Sequence, residues 1–456
     1  MTKASGKVDV AWYGDDFTGA AAVMEVLAFA GLPTMLFLDV PTAAQLALYP
    51  DLRAIGIAST ARSKSPAWMD RELPFVFEAL AALNPAIAHY KICSTLDSSP
   101  QIGSIGRAIE IAADRFAPDV VPVLVAAPQM RRYQVFGHLF AGLGDAVYRL
   151  DRHPVMARHP VTPMNESDVA RHIAKQSDRL DISLLSLENP ASAAPMAEPR
   201  DPTRICAVTL DCMDDVSEAR VGQFLWGNRA RNPFVVGSQG VEYALVAHWI
   251  KTGALSPAAA PESVCRAKGM VTVSGSVSPT TADQIAWSRA NGFACIPFDA
   301  TTACNTACTD VTALAAEKAR VTQAALRALA QGQDPLIYTA EGPDDPAVAR
   351  FKQAAAGNDI AAINETIGTA LGEVLAEILH QSGVRRAVVS GGDTSGYATG
   401  QLGIFALSAL APTIPGAALF KAHATGDMDG IELALKGGQM GSPDYFGWIR
   451  DGGGAR

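Results

Sequence analysis

A chain of 456 residues is too long for one ordinary hydrophobic core and predicts two domains. With 49% hydrophobic and 18% charged residues it reads as a folded protein, which excludes a disordered one. The formal charge of -9 argues against broad nucleic-acid binding, so any anionic ligand has to be met by a local group of cations. Residues 1–7 carry no signal-peptide core, and the longest apolar run, near residues 120–128, is too short to span a bilayer. Seven scattered cysteines, an odd number, suit a reducing compartment. These features predict a cytoplasmic protein without a membrane partner. Cys304 and Cys308 are a close pair, but no second Cys/His pair stands at metal spacing, so zinc is not expected.

In chain order, Val8, Val10 and Trp12 alternate with Asp9 and Ala11 as a strand does, and residues 20–30 read as an alanine-rich helix. Between them lies Tyr13-Gly14-Asp15-Asp16-Phe17-Thr18-Gly19-Ala20. Two adjacent aspartates at a strand-to-helix turn stand where an open α/β sheet collects its ligands. One acid suffices to cap a helix. The pair therefore predicts a group that accepts a proton or holds Mg²⁺. Gly14 and Gly19 have P-loop spacing, but Ala20 and Ala21 follow where that motif needs Lys and Ser/Thr.

Residues 34–40 and 54–58 read as buried strands. Arg62 follows the second, as a fork for a carboxylate or as a solvated surface arginine. A helix over residues 66–83 leads to a strand over 87–92, which runs into Lys91, Cys93, Ser94, Thr95, Asp97, Ser98 and Ser99. Hydroxyls beside one lysine suit a polyhydroxylated, negatively charged small molecule. Residues 120–127 form the most apolar strand. Between residues 131 and 159 five arginines (131, 132, 149, 152, 158) and three histidines (138, 153, 159) face two acids, a candidate anion-steering patch. A helix is expected from residue 162, strands over 205–210 and 234–237, and a linker over 253–261 between domains spanning 1–252 and 262–456.

The second half repeats the strand, small-residue loop, helix pattern at Ser274-Gly275-Ser276-Val277-Ser278 and at Ser390-Gly391-Gly392-Asp393-Thr394-Ser395-Gly396. A third segment, Lys436-Gly437-Gly438, follows residues 430–435, which look helical. Loops without bulky side chains let backbone N–H groups face an anion, and a following helix N-terminus adds favourable partial charge. Three such loops, one with Asp and one with Lys, predict a nucleotide's phosphates and its metal.

In these segments and their order, from Asp15-Asp16-Phe17-Thr18-Gly19-Ala20 through residues 91–96 to Lys436-Gly437-Gly438, the chain resembles the four-carbon acid sugar kinase family. The resemblance covers nearly the whole chain. It implies an N-terminal sugar-acid domain, a C-terminal nucleotide domain, and ATP-dependent phosphorylation of a threonate, erythronate or 3-oxo-tetronate type of acid. It places Asp15, Arg62 and Lys91 on substrate-binding positions, and Ser278, the Ser390, Gly391, Gly392 and Asp393 loop, and Gly438 on ATP-binding ones. Where the family commonly reads Lys-x-Asp-Ser-Thr-Leu-Arg-Gly, this chain has Cys93 for Asp, Asp97 for Arg and Ser98 for Gly. A cation is lost and an acid gained, which bears on substrate identity.

The resulting expectation is two α/β domains, each a mostly parallel sheet flanked by helices, with the active site in the cleft between them. Asp16 is favoured as the base, with Asp15 binding substrate beside Arg62, Lys91, Ser94 and Thr95, although the two aspartates could be exchanged. Ser276, Ser278, Ser390, Gly391, Gly392, Asp393 and Gly438 are expected to hold ATP, with Asp393 a candidate for Mg²⁺ through the nucleotide. A homodimer is expected. Two rivals are a non-catalytic sugar-acid sensor on the same fold and a nucleotide-dependent oxidoreductase. Against the oxidoreductase, no Gly-x-Gly-x-x-Gly follows a strand with an acidic partner about 20 residues on.

Overall fold

The computed structural model describes residues 8–159, 161–189, 203–259, 262–304, 311–414 and 416–456. The chain divides into two compact units, Met1–Ala259 and Ala260–Arg456. The first unit runs β1 (Val10–Gly14), α1 (Phe17–Phe29), β2 (Thr34–Phe37), α2 (Ala43–Ala47), β3 (Ala54–Ile57), α3 (Pro66–Ala82), β4 (Ile87–Lys91), α4 (Ile105–Phe116) and β5 (Val121–Leu124). It continues through β6 (Arg132–Val135), β7 (His138–Leu143), β8 (Ala146–Arg149), α5 (Val169–Ala174), β9 (Leu180–Leu185), β10 (Ile205–Leu210), α6 (Asp215–Asn228), β11 (Phe234–Gly237) and α7 (Gly240–Thr252).

Strands β1, β3, β4, β5 and β11 bury every residue, which is why they read as apolar runs without alternation. Their order within the unit is β2-β3-β1-β4-β11-β5-β10-β9, all parallel. Parallel pairing aligns the strand ends: Gly14 stands opposite Lys91, and Lys91 opposite Gly237. Met69, Leu73, Phe77 and Leu80 of α3 pack with Ile105, Ile109 and Ala112 of α4 over Tyr90, Phe234 and Val236 of the sheet. A three-stranded antiparallel sheet, β6-β7-β8, leaves the chain after β5.

The second unit runs β12 (Val271–Ser274), α8 (Pro279–Ala290), β13 (Phe293–Pro297), α9 (Val311–Ala330), β14 (Asp334–Tyr338), α10 (Pro346–Ala354), α11 (Ile360–Ser382), β15 (Arg386–Ser390), α12 (Gly392–Gln401), β16 (Ile404–Ala411), β17 (Leu419–Ala424), β18 (Glu432–Lys436) and α13 (Tyr445–Arg450). Its order is β13-β14-β12-β15-β18-β17-β16. The first five strands are parallel, and β17 is antiparallel to both neighbours. The α/β expectation therefore holds in each unit.

Two local expectations do not hold. Residues 432–436, which look helical, form β18, because burial between β15 and β17 overrides the helix preference of Glu, Leu, Ala and Lys. The helix expected from residue 162 begins at Val169: Asp168 is its cap, accepting from the Arg171 N–H at 3.0 Å, while Glu166 accepts from the Asp168 N–H. Cys308 lies outside the described residues. Among those residues no group of three metal-ligating side chains occurs, and no helix is long and apolar enough to cross a membrane.

Candidate active site

In the first unit the carboxyl ends of β1, β3 and β4 bring four charged side chains together. The Asp15 N–H donates to Lys91 O at 2.9 Å, and the Arg62 N–H donates to Asp15 O at 2.8 Å, so backbone bonds set all three positions before any side chain acts. Arg62 then donates through Nε to Asp15 Oδ2 at 3.1 Å and through Nη2 to Asp15 Oδ1 at 2.6 Å and Asp16 Oδ1 at 2.5 Å. One guanidinium is shared by two carboxylates. Burial pushes the Asp15 carboxyl above its ordinary range, against the pull of Arg62 and with repulsion from Asp16. Burial also works against the charge of Arg62, but the two aspartates hold it firmly protonated.

Asp16 differs from Asp15 in exposure. Its side chain keeps 27% of its surface against 4% for Asp15. Its Oδ1 also caps α1 by accepting from the Gly19 N–H at 3.0 Å, while Oδ2 has no hydrogen-bond partner among the described residues. One oxygen of the carboxylate thus caps the helix while the other is left open. Lys91 is buried, and its Nζ donates to Ile92 O at 2.6 Å. A Cβ on Gly19 would fall 2.4 Å from Asp16 Oδ1 and 2.7 Å from Lys91 Nζ, so the bare Cα is what lets these groups converge.

The hydroxyl-rich segment forms the adjoining rim. Thr95 Oγ1 donates to Asp97 Oδ1 at 2.9 Å and meets Cys93 Sγ at 3.0 Å. Burial, helped by Asp97, pushes the Cys93 thiol up to about 11, so it stays protonated at neutral pH. Ser94 sits half-buried on the same turn. Ser98 is a structural anchor. Its Oγ donates to Leu96 O, meets His172 Nε2 and accepts from Gln176 Nε2, each at 2.9 Å. Burial holds His172 down at about 4, which keeps that ring neutral.

The arginine-rich stretch serves largely as scaffold. Arg131 donates to the carbonyls of Gly144 and Ala146, and Arg149 pairs with Asp151 through two bonds of 2.7 Å. Arg132 is treated separately below.

In the second unit the small-residue loops close around one another. Ser278 caps α8 by accepting from the Thr281 N–H at 3.1 Å, and its own hydroxyl donates to Gly438 O. Thr281 Oγ1 donates to Ser276 Oγ at 2.9 Å and to Gly438 O at 3.1 Å. Gly391, at φ +130°, precedes α12 without a side-chain cap, so the first amides of that helix are open to an anion. A Cβ there would lie 2.8 Å from Thr394 Oγ1, and one on Gly438 would lie 2.3 Å from Ser276 Oγ.

A cavity of about 1270 Å³ opens beside these loops, lined by Gly275, Ser276, Gly391, Gly392, Thr394 and Gly438 at one end. Phe298, Phe351, Ile360 and Ile367 also line it, as do Glu317, Arg320 and Asn364. These walls carry no sequence motif. Ser390 is fully buried, with its Oγ unpartnered, and the Asp393 side chain lies outside the described residues. Lys436 is 1% exposed, and its Nζ donates only to Gly437 O, at 3.2 Å, among the described residues. Desolvation lowers its pKa to about 8.

The chain matches the family model for a sugar-binding N-terminal domain over residues 10–245 and that for a nucleotide-binding C-terminal domain over residues 271–446. It is 43% identical to a 3-oxo-isoapionate kinase of Paraburkholderia graminis, over 97% of this chain and 94% of that one. It is 30% identical to a 3-oxo-tetronate kinase of Pseudomonas savastanoi pv. phaseolicola, over 95% and 94%. Among solved structures it is similar to a Salmonella typhimurium LT2 protein described provisionally as a tRNA synthase, with a TM-score of 0.74, 25% identity and 97% and 98% coverage. A Haemophilus influenzae protein shares the fold at a TM-score of 0.71, 24% identity and 96% and 99% coverage. With two domain models in sequence and relatives aligned end to end, the chain belongs to the four-carbon acid sugar kinase family.

Proposed function

We propose that the protein transfers the γ-phosphoryl group of ATP to a hydroxyl of a four-carbon type of sugar acid carrying a 3-oxo group, as the names of its relatives suggest. The observation that carries this reading is the shared Arg62. With Asp15 taking both Nε and Nη2, the remaining carboxylate, Asp16, stays half-exposed with Oδ2 unengaged. That oxygen is the group suited to accept a proton from the attacking hydroxyl. Asp15 fixes the guanidinium, and Lys91 adds positive charge beside the reacting oxygen. Ser94 and Thr95 offer hydroxyls to the substrate's own hydroxyl groups.

Phosphoryl transfer depends on positioning and charge neutralisation more than on covalent chemistry. The amides that open α12, with Ser276, Ser278 and Gly438, would hold the phosphates, and the apolar walls at Phe298 and Phe351 would take the base. Mg²⁺ commonly takes one or two carboxylates plus phosphate oxygens, so a metal arriving with the nucleotide would need only one carboxylate from the protein. Asp393, at the second position of α12, is the carboxylate proposed for it. Bound there, Mg²⁺ would neutralise charge on the bridging phosphate oxygens. An ATP donor would put the reaction in the cytoplasm.

A coupled assay of ADP release with ATP, Mg²⁺ and a panel of 3-oxo-tetronate, threonate and erythronate tests the proposal. Acid-dependent ADP formation with a stoichiometric phosphorylated acid is expected. Nucleotide and acid binding without turnover across the panel would favour the sensor instead.

A further inference from the structure

Within the first unit Arg53, Arg62, Arg71, Arg107, Arg115 and Arg149 each stand against a carboxylate. Arg132 does not. It opens β6, held to Ala127 by a pair of backbone hydrogen bonds of 2.9 and 3.1 Å, three residues beyond the end of β5. Its Nη1 donates to the carbonyls of Met130 at 3.1 Å, Arg131 at 3.3 Å and Gly142 at 3.3 Å, which fixes the plane of the guanidinium. Its Nε is sealed from solvent without a partner, and Nη2 has no protein partner among the described residues. A guanidinium held rigidly, with its Nε–Nη2 edge unmatched, has lost solvation and gained no counter-charge.

The sheet register puts it at the same end as the acid site: Leu124, the last residue of β5, stands opposite Gly237, Gly237 stands opposite Lys91, and Ala127, which holds Arg132, follows Leu124 by three residues. Burial works against its charge, Arg131 opposes it, and Asp97 favours it. The charge balance of the rim makes the point sharper. Asp15 and Asp16 are offset by Arg62 and Lys91, which leaves nothing over for an incoming carboxylate, and Asp97 adds a further negative charge. Arg62, the fork that the sequence suggests for that carboxylate, already has its Nε and Nη2 on the two aspartates.

We infer that Arg132 binds the carboxylate of the acid substrate through its open Nη2, so that the choice of an acid over its neutral counterpart is made at β6 and not at Arg62. This rests on the sugar-acid kinase reading. With Nη1 anchored on carbonyls and Nε enclosed, the planar guanidinium is held with Nη2 fixed in direction, a rigidity that a lysine ammonium on its flexible stem cannot supply. Asp97, turned toward Thr95, then faces the hydroxylated end of the molecule, where an acceptor is useful.

The test uses the full-length protein and its Arg132→Gln and Arg132→Lys variants, with erythronate, threonate and 3-oxo-tetronate as acids and the amides of the first two as neutral counterparts. Steady-state kinetics with ATP gives KM and kcat for each, and calorimetry gives acid and nucleotide affinity. In Arg132→Gln the acid KM is expected to rise by at least ~30-fold, the scale of losing one partner of a desolvated charge pair. The amide KM and the nucleotide affinity should stay within about twofold, the spread of surface substitutions. Arg132→Lys should recover part of the loss.

An Arg132→Gln protein that keeps the wild-type acid-to-amide ratio overturns the inference. A parallel rise for acid and amide overturns it as well, since that is the signature of a hairpin loosened at Met130 and Gly142. If wild-type protein binds an acid but never phosphorylates it, the kinase reading falls while calorimetry still judges Arg132. A panel that neither binds nor reacts overturns both.

Discussion

The two units present charge by opposite means. The first gathers side chains: two carboxylates, one guanidinium and one ammonium meet at the ends of three strands, the guanidinium shared by both carboxylates and the ammonium held on a backbone carbonyl. Among the described residues the second presents open amides, hydroxyls and glycines at its loops, with a buried ammonium at Lys436. A sugar acid varies among relatives and needs side chains that can be exchanged. The phosphates of a nucleotide do not vary, and backbone suffices for them. The contrast predicts that single side-chain changes will affect chemistry in the first unit, whereas steric and pH effects will dominate in the second.

The largest expected effect is at Asp16. Asp16→Asn should lower kcat by about 10² or more, the scale of losing a general base, with little change in acid affinity. Asparagine still caps α1, so the protein should fold. Wild-type turnover by a folded Asp16→Asn protein would leave that residue a cap alone. Asp15→Asn should instead weaken acid binding, because it loosens the Arg62 guanidinium that ties Asp15 and Asp16 together at the substrate's hydroxylated end.

Next comes Gly391→Val. A side chain at φ +130° that also meets Thr394 costs about 1–3 kcal/mol, which predicts a roughly 10- to 100-fold weaker ATP affinity with the acid KM unchanged. Calorimetry with ADP reads it, and unaltered affinity would remove the glycine loop from the nucleotide site.

The pH dependence of nucleotide binding should single out Lys436. Its folded-state pKa of about 8 lies below the usual lysine value, so it is charged at pH 7 and neutral by pH 9. If its charge supports the phosphates, ADP affinity falls as pH rises through about 8, and Lys436→Met removes that step. The free protein should show the converse. A lysine that folds with a lowered pKa binds fewer protons folded than unfolded between pH 8 and 10, so stability rises over that window. An ADP profile flat from pH 7 to 9 would assign Lys436 to packing under Tyr445 and Phe446.

The smallest effect is at the rim. Asp97 is half-buried and tied to Thr95, and its charge opposes an acid ligand only through partly screened space. Asp97→Asn should lower the acid KM by about two- to fivefold, the scale of a partly exposed charge. A substrate profile left superimposable by Asp97→Arg would show that the departure from the family pattern at this position has no bearing on selectivity.

How much was legible follows the same divide. Asp15-Asp16 and the loops at Ser276, Gly391 and Gly438 could be read because each is local: a strand, a turn and a helix start within about ten residues. The arginine cluster between residues 131 and 159 was visible, but its partners were not. Arg149 has its acid, Asp151, two residues on, but nothing local shows that Arg132 lacks one, because its position depends on how Ala127 and Gly142 fold back on it. The cavity walls at Phe298, Arg320, Phe351 and Asn364 come from four separate segments, and only the sheet order brings them together. The strand at β18 was misread because its composition favours a helix and only its neighbours decide otherwise.

Gly19 limits how far the acid site can be redesigned. A methyl group at its Cα would collide with both the Asp16 carboxylate and the Lys91 ammonium, forcing each out of place. That wall of the acid site is therefore a fixed die, cast by the absence of a side chain. Libraries aimed at new acids should leave that wall intact and vary Ser94, Asp97 and the residues around Arg132. There a change of shape alters which molecule fits without unsettling the groups that act on it.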